Sequence, residues 1–394
     1  MSAISTCKRA ALLGLMLLGL IAAAGCGGSS KPHATSTATA SSAAAGAGTA
    51  PTASAHHAPA ALDPHNVYAA DVPGNLSPAV RNDRPLIYVP NSGSDTVTEI
   101  DPNTLHVVRQ FAVGALPQHV VPSYDLRTLW VTNDIGNTLT PIDPRTGAPG
   151  REVAVTDPYN MYFTPDGRYA VVMAERLRQI DFRDAHTMRL HHSLAVPQCA
   201  GVNHADFTAD GRRMLASCEF GGAMIVVDVG AERVIRTIPL PSGASPQDVK
   251  LSPDGRVFYV ADRYIGGLWV FSARSFRRIG FIGTGPDAHG LYPSRDARFL
   301  YVTDRSAGMV SVVSFATRRV VKTWSIPGGS PDMGGVSASG STMWLSGRYD
   351  GAAYEIDTRS GKLLHRIPVG AGPHGLCVWP QPGRYSLGHT GIMR

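Results

Sequence analysis

Seven short polar pairs recur along this 394-residue chain, 41 to 44 residues apart, and they hold the side chains best suited to chemistry. They are Gln118-His119, Tyr159-Asn160, Asn203-His204, Gln247-Asp248, His289-Gly290, Asp332-Met333 and His374-Gly375. Four of the 14 histidines, His119, His204, His289 and His374, fall at these points, with Asn160, Asp248 and Asp332 as the other candidate ligand-binding residues. Neutral imidazole suits zinc, copper, nickel or iron, so such a gathering on one axis could hold a divalent transition metal through the four histidines. It could equally bracket a small polar ligand or, less readily, a haem face. The competing reading is structural: each group satisfies loose backbone of the loop before it, as buried polar groups generally must. Register favours that reading. His289 and His374 come one residue earlier in their pairs than His119 and His204, and alternate residues of a strand face opposite ways.

No catalytic motif competes with this set. The chain has no Gly-x-Ser-x-Gly elbow, metalloprotease helix, P-loop or Cys-x-x-Cys-His haem attachment. Gly283-Thr284-Gly285-Pro286-Asp287-Ala288 fits a loose dinucleotide fingerprint but leads into a strand, so no helix N-terminus waits for a pyrophosphate. Arginines cluster at Arg233, Arg236, Arg274, Arg277, Arg278, Arg318, Arg319 and Arg366, in or beside the fourth strand of each repeat. Positive side chains on a free edge discourage edge-to-edge pairing. With little aromatic interleaving there, nucleic acid is not the expected partner. Cys199 precedes one strand and Cys218 ends its hairpin partner, which makes a disulfide between them possible and leaves Cys377 as a buried thiol.

The elements that must position these residues repeat. An apolar strand ending in small polar residues occurs as Leu86–Asn91, Leu129–Asn133, Phe258–Asp262, Leu300–Asp304 and Met343–Gly347, with weaker copies around Val171 and Leu215. Markers at Tyr88, Trp130, Val171, Leu215, Tyr259, Tyr301 and Trp344 stand 42, 41, 44, 44, 42 and 43 residues apart. Turns such as Pro165-Asp166-Gly167-Arg168 and Pro253-Asp254-Gly255-Arg256 precede the marker: Pro presets the first dihedral, Asp caps and Gly takes the positive φ. A third strand ending in Asp and a fourth follow. Four antiparallel strands per repeat is the unit of a β-propeller. The first repeat lacks an inner strand, whereas Gly372–Trp379 is an inner strand with no blade after it. Placing the latter in the former predicts an all-β, seven-bladed β-propeller closed by a C-terminal strand in the first blade and preceded by a disordered tether.

The Tyr301-Val302-Thr303-Asp304 and Trp130-Val131-Thr132-Asn133 strands, with the Pro-Asp-Gly-Arg turns of sister copies, resemble the YVTN-type repeats of bacterial seven-bladed propellers. The resemblance spans about residues 80 to 380. It implies a surface or exported binding protein, and is similar in outline to the haem-binding propeller of cytochrome-type nitrite reductases and to propeller lactonases. Fold follows from it; function does not.

The N-terminal region reads differently. Lys8 and Arg9 precede the apolar stretch 10–23, too short to span a bilayer comfortably, so residues 1–25 read as a signal peptide. Ala23-Ala24-Gly25-Cys26 resembles the lipobox of bacterial lipoproteins, which makes Cys26 the expected lipidation site. Residues 26–72 are the lipidated cysteine and a Ser/Thr/Ala/Pro-rich linker that cannot bury enough surface to fold, and 73–394 the propeller. Without Lys8 and Arg9 the 36 basic residues become 34 against 30 acidic, too mild an excess to argue for nucleic acid. Away from the N-terminus there is no apolar run of spanning length and no heptad, which excludes an integral channel and a coiled coil. The expectation is a monomer anchored by lipid to the bacterial cell membrane, facing periplasm or exterior, that binds an envelope protein or a small polar ligand.

Overall fold

A computed structural model describes residues 62–394. The expected signal peptide, Cys26 and the tether up to residue 61 lie outside the described residues.

Seven four-stranded antiparallel sheets form the body, six of them each built from one repeat, and no α-helix occurs among the described residues. The first sheet takes its inner strand from the other end of the chain: Cys377–Trp379 pairs antiparallel with Leu86–Asn91, with Tyr88 opposite Cys377 and Leu86 opposite Trp379. Closure by the C-terminal strand therefore holds, although regular pairing covers only three residues of it. The approach to it is held by single bridges from Pro373 to Asn91 and from Gly375 to His119.

Three of the four strands in a blade are buried along nearly their whole length. Inner, marker and third strands are covered on both faces by neighbouring blades, as in Pro158–Phe163, Tyr169–Ala174 and Gln179–Asp184, whereas the outermost strand Leu190–Ala195 is mostly exposed. The core accordingly lies between blades. Val121, Trp130 and Leu139 of the second blade pack on Met161, Phe163, Ala170 and Val172 of the third. The fourth strand of the second blade shrinks to Val153–Ala154. Pro141 and Pro149 stand where its ladder would continue, and proline lacks the N–H to extend it.

Local chemistry sets the hairpins. In the turn after Pro158–Phe163, Thr164 Oγ1 donates to Asp166 Oδ1 at 2.6 Å and accepts from the Tyr169 amide at 3.0 Å. Gly167, Gly211 and Gly255 take φ of 71°, 69° and 66° in the three copies of this turn, a region that L side chains resist. In the degenerate copy Ala297 is forced to 54°.

Residues before the first blade also join the body. Val67 and Tyr68 are buried, Tyr68 Oη donates to the Leu251 carbonyl at 2.7 Å, and Asp71 pairs with Arg295. Together with the tail after Trp379 they cover the face where the inner strands end. Cys199 and Cys218 are joined by a disulfide with a Cα separation of 4.8 Å, and Cys377 is a buried thiol.

Candidate functional site: an axial histidine cluster under a charged mouth

All seven polar pairs lie at the starts of inner strands, at one mouth of the central channel. An alternating strand would send the two members of each pair to opposite sides, but six of the seven inner strands are irregular there, and His374-Gly375 lies just ahead of the seventh. Two residues, Gln118 and His119, stand opposite the single Thr132, and comparable register shifts occur at Pro158–Asn160, Val202–Ala205, Pro246–Val249, Ala288–Leu291 and Pro331–Gly334. Such a bulge re-aims side chains. It removes the objection from register, because His289 and His374, first in their pairs, meet His119 and His204, second in theirs.

The sequence builds the bulge. The amide it displaces from the ladder is caught by a hydroxyl of the marker strand: Thr132 Oγ1 accepts from His119 N at 3.0 Å, Ser217 Oγ from His204 N at 3.1 Å, and Thr303 Oγ1 from Gly290 N at 2.7 Å. The following Asn or Asp secures the next turn, as Asn133 Nδ2 does by donating to Thr138 and Thr140. This is the physical meaning of the small polar residues that end the marker strands carrying Thr132, Ser217, Thr303 and Ser346. Gly375 is glycine for a different reason: a Cβ there would collide with the His119 ring.

Five imidazoles meet on the axis. His119, His204, His289 and His374 are joined by His389, which the tail Gly388-His389-Thr390-Gly391 inserts from the opposite face. Neighbouring ring centroids are 4.9 to 5.9 Å apart, and all five residues are at most 2% exposed. That packing leaves no slot for a haem macrocycle between the rings.

The five divide into two groups. His289 and His374 flank the Asp332 carboxylate. His374 Nδ1 donates to Oδ2 at 2.6 Å, His289 Nδ1 lies 2.8 Å from Oδ1 but poorly aligned, and Arg305 donates to Oδ1 at 3.1 Å. Burial raises the Asp332 carboxyl, yet Arg305 and the two imidazoles outweigh it and hold it well below the carboxylate range. Burial in turn pushes His374 down to about 3, so it meets Asp332 as a neutral donor. His119, His204 and His389 form the second group. Burial, then the neighbouring imidazoles, lower His119 and His204 well below the usual histidine range, and burial lowers His389 despite Asp248.

The remaining candidates are committed. Asp248 accepts from the Val249 and Leu291 amides at 2.8 and 2.9 Å and faces Lys250 at 3.4 Å; against its burial, Lys250 and His389 hold it ionised. Asn160 Nδ2 lies 3.2 Å from His204 Nδ1 and 3.1 Å from His389 Nδ1. Among the described residues, the axial carboxylates Asp248 and Asp332 therefore both already have hydrogen-bond partners.

Above the axis, the turn after each marker strand supplies a second ring. Its first residues are Ser92, Asp134, Glu175, Glu219, Arg263, Arg305 and Arg348, an acidic arc followed by a basic one. Arg263 bridges Glu219 and Asp287, whereas Arg348 forms no ion pair among the described residues and donates to Ser92 Oγ and the Gly372 carbonyl, each at 3.1 Å. Burial, with Glu219 nearby, pushes Glu175 up to about 8. The next residues in these turns stand up into solvent: Ile135, Phe220, Tyr264 and Tyr349 are 53%, 68%, 68% and 63% exposed, joined by Leu177 at 50%. Arg263 and Arg305 lie over the rings of Tyr264 and Tyr349 at 5.2 and 5.4 Å. Sequence reasoning anchored on inner strands missed this crown, and missed His389, which lies beyond the last repeat.

Residues 79–382 match the YNCE-like beta-propeller family. The chain belongs to that family. The uncharacterized protein YncE of Salmonella typhi is 24% identical over 275 residues, 64% of this chain and 74% of its own length. Among solved structures, the periplasmic gluconolactonase PpgL of Pseudomonas aeruginosa superposes with a TM-score of 0.63 at 21% identity, covering 76% of this chain and 99% of that one. The dihydro-heme d1 dehydrogenase NirN, in complex with DHE, gives 0.57 at 17% identity, covering 77% and 76%. At these identities the likeness to solved structures is one of fold. It leaves the chemistry of this YNCE-like propeller to its own residues.

Proposed function

We propose that this YNCE-like propeller is an exported, lipid-anchored binding module, tethered through Cys26 to the bacterial cell membrane, that docks an envelope protein on the crown around its channel mouth. Its repeats would then be of the YVTN type used by exported binding propellers, and the chain would act as a monomer facing the periplasm or exterior. One observation carries the reading: four blades raise an exposed apolar side chain from the same turn position, and a fifth does so one residue later. Scattered exposed apolar residues need no explanation, but a ring of them around one opening marks an interaction surface. Aromatic residues and arginine are the side chains that most often dominate binding energy. Here Tyr264 and Tyr349 are already braced by guanidinium groups. Between Phe220 and Tyr264 runs a groove of about 390 Å³ floored by Glu219 and Ser245. Arg348, unpaired among carboxylates, suits an acidic group of the partner.

A hydrolase reading, which the gluconolactonase likeness invites, needs a base or nucleophile free at the axis, and Asp248 and Asp332 are both engaged. The test is recovery of a partner from envelope extract by the wild-type chain and by Phe220→Ser/Tyr264→Ser/Tyr349→Ser. A partner held by the wild type and lost by the triple variant, with unchanged melting, supports the reading. Equal recovery by both, or recovery abolished only when the outer-strand arginines are replaced, refutes it.

A further inference from the structure

We infer that His119, His204 and His389 form a buried site for a divalent transition-metal cation of the zinc, copper, nickel or iron class, completed only when the C-terminal tail closes the channel. It stands apart from the crown reading. A chain that binds metal but no partner overturns only that reading, and the reverse overturns only this one.

The first ground is unmet valence. Nε2 of all three imidazoles is fully buried and has no hydrogen-bond partner, and each residue is 0% exposed. A single orphaned buried nitrogen calls for an explanation; three in one cluster of packed rings call for a shared one. One ligand atom from each residue lies within 4.8 Å of the others. Zinc–nitrogen bonds of about 2.0–2.1 Å place tetrahedral ligands roughly 3.4 Å apart, so rotation of the rings by about an ångström would close the site.

The second ground is how the rings are held. His119 Nδ1 lies 3.0 Å from the Tyr159 carbonyl, which can only accept; the proton is therefore on Nδ1 and the lone pair on Nε2. This is the usual way in which a ligating histidine is oriented. His204 and His389 share Asn160 through their Nδ1 atoms. Asn160 Nδ2 has two protons for three neighbours, these two Nδ1 atoms and Tyr162 Oη, while its Oδ1 accepts from the Met161 amide at 2.9 Å. An imidazole that accepts from Nδ2 carries its proton on Nε2, so loading both requires the amide to turn and present Oδ1 to the Nδ1–H groups. Nothing in the repeat supplies His389. Its backbone is left-handed, with φ of 54°, and its amide donates to the Met161 carbonyl at 2.8 Å, which fixes the ring on the axis. A side chain carried there in an uncommon conformation, with its nitrogen unpaired, is placed for contact with something. The nearest carboxylate, Asp248 Oδ2, is 3.6 Å from His389 Nε2 and is already engaged, so three imidazoles leave a fourth position open.

The experiment titrates the full chain, stripped with chelator, with Zn²⁺ and Co²⁺, beside four variants. These are His119→Ala, His389→Ala, Asn160→Asp and the control His191→Ala/His192→Ala, which removes an exposed pair beside Glu232. The expected result is about one equivalent of Zn²⁺ and visible bands of tetrahedral Co²⁺ in the wild type and the control. Loss of His119 or His389 should weaken binding about 100-fold or more, while Asn160→Asp, which offers a carboxylate to both Nδ1–H groups without any turn, should tighten it by about tenfold. Should the alanine variants fail to fold, Asn160→Asp and the control still decide. Binding that vanishes with His191 and His192, an Asn160→Asp affinity no tighter than wild type, or a wild-type chain without metal would overturn the inference.

Discussion

Replacement of Trp379 by alanine tests how the ring is closed. Trp379 is 1% exposed, pairs with Leu86 across the seam and packs with Val80, Leu86, Tyr88, Leu129 and Met393. Its Nε1 also donates to Asp83 Oδ2 at 3.0 Å, tying down the segment before the first blade. Truncating a buried tryptophan costs about 3–5 kcal/mol. Leaving the Asp83 carboxylate short of a donor adds about 1 kcal/mol, less where water can replace it. The expected loss is about 4–6 kcal/mol, and at roughly 2 °C per kcal/mol for a body of this size the midpoint should fall by about 8–12 °C. Asp83→Ala, which leaves the Trp379 packing in place and removes the acceptor, should lose only the hydrogen-bond part. Thermal and urea unfolding followed by circular dichroism measure both. A Trp379→Ala loss below about 2 kcal/mol, or one matched by Asp83→Ala, would refute the reasoning that the terminal strand is a packed part of the ring.

Two other variants probe the mouth and the turns. Glu175, raised from 4.5 to about 8 by burial and by Glu219, binds its proton more tightly folded than unfolded. Its favourable contribution is therefore complete below about pH 4.5 and is lost as pH rises to about 8; Glu175→Gln should match wild type at pH 4.5 and exceed it by about 2–4 kcal/mol above pH 8, as unfolding midpoints at the two pH values will show. A pH-independent difference would contradict this. Ala297 holds a φ of 54° where the sister turns have glycine. Relief of that strain, set against the entropy of a new glycine, should make Ala297→Gly more stable by about 0.5–1 kcal/mol, and a destabilised variant would mean the methyl group's packing matters more.

Most of the architecture was legible because each repeat states its own chemistry. The Pro-Asp-Gly turn fixes a hairpin, the apolar marker strand fixes burial on both faces, and the unpaired Gly372–Trp379 segment indicates the closure. The candidate site was legible only in part. That His119, His204, His289 and His374 lie at one mouth follows from the repeat, but their convergence depends on bulges in the inner strands, and an extra residue in a ladder is not visible in residue type alone. Its trace is there in retrospect: Thr132, Ser217, Thr303 and Ser346 are the hydroxyls placed to catch a displaced amide. The crown was equally readable, since Ile135, Phe220, Tyr264 and Tyr349 are each the second residue after a marker strand. His389 was not. It follows the last blade, repeats nothing, and reaches the axis only through the three-dimensional path of the tail.

The most direct test of the axial assembly is anomalous diffraction from crystals of the chain grown with Co²⁺. The account predicts one buried peak on the channel axis, about 2.0–2.2 Å from Nε2 of His119, His204 and His389. An axis without anomalous density, or a peak confined to the exposed histidines beside Glu232, would contradict it.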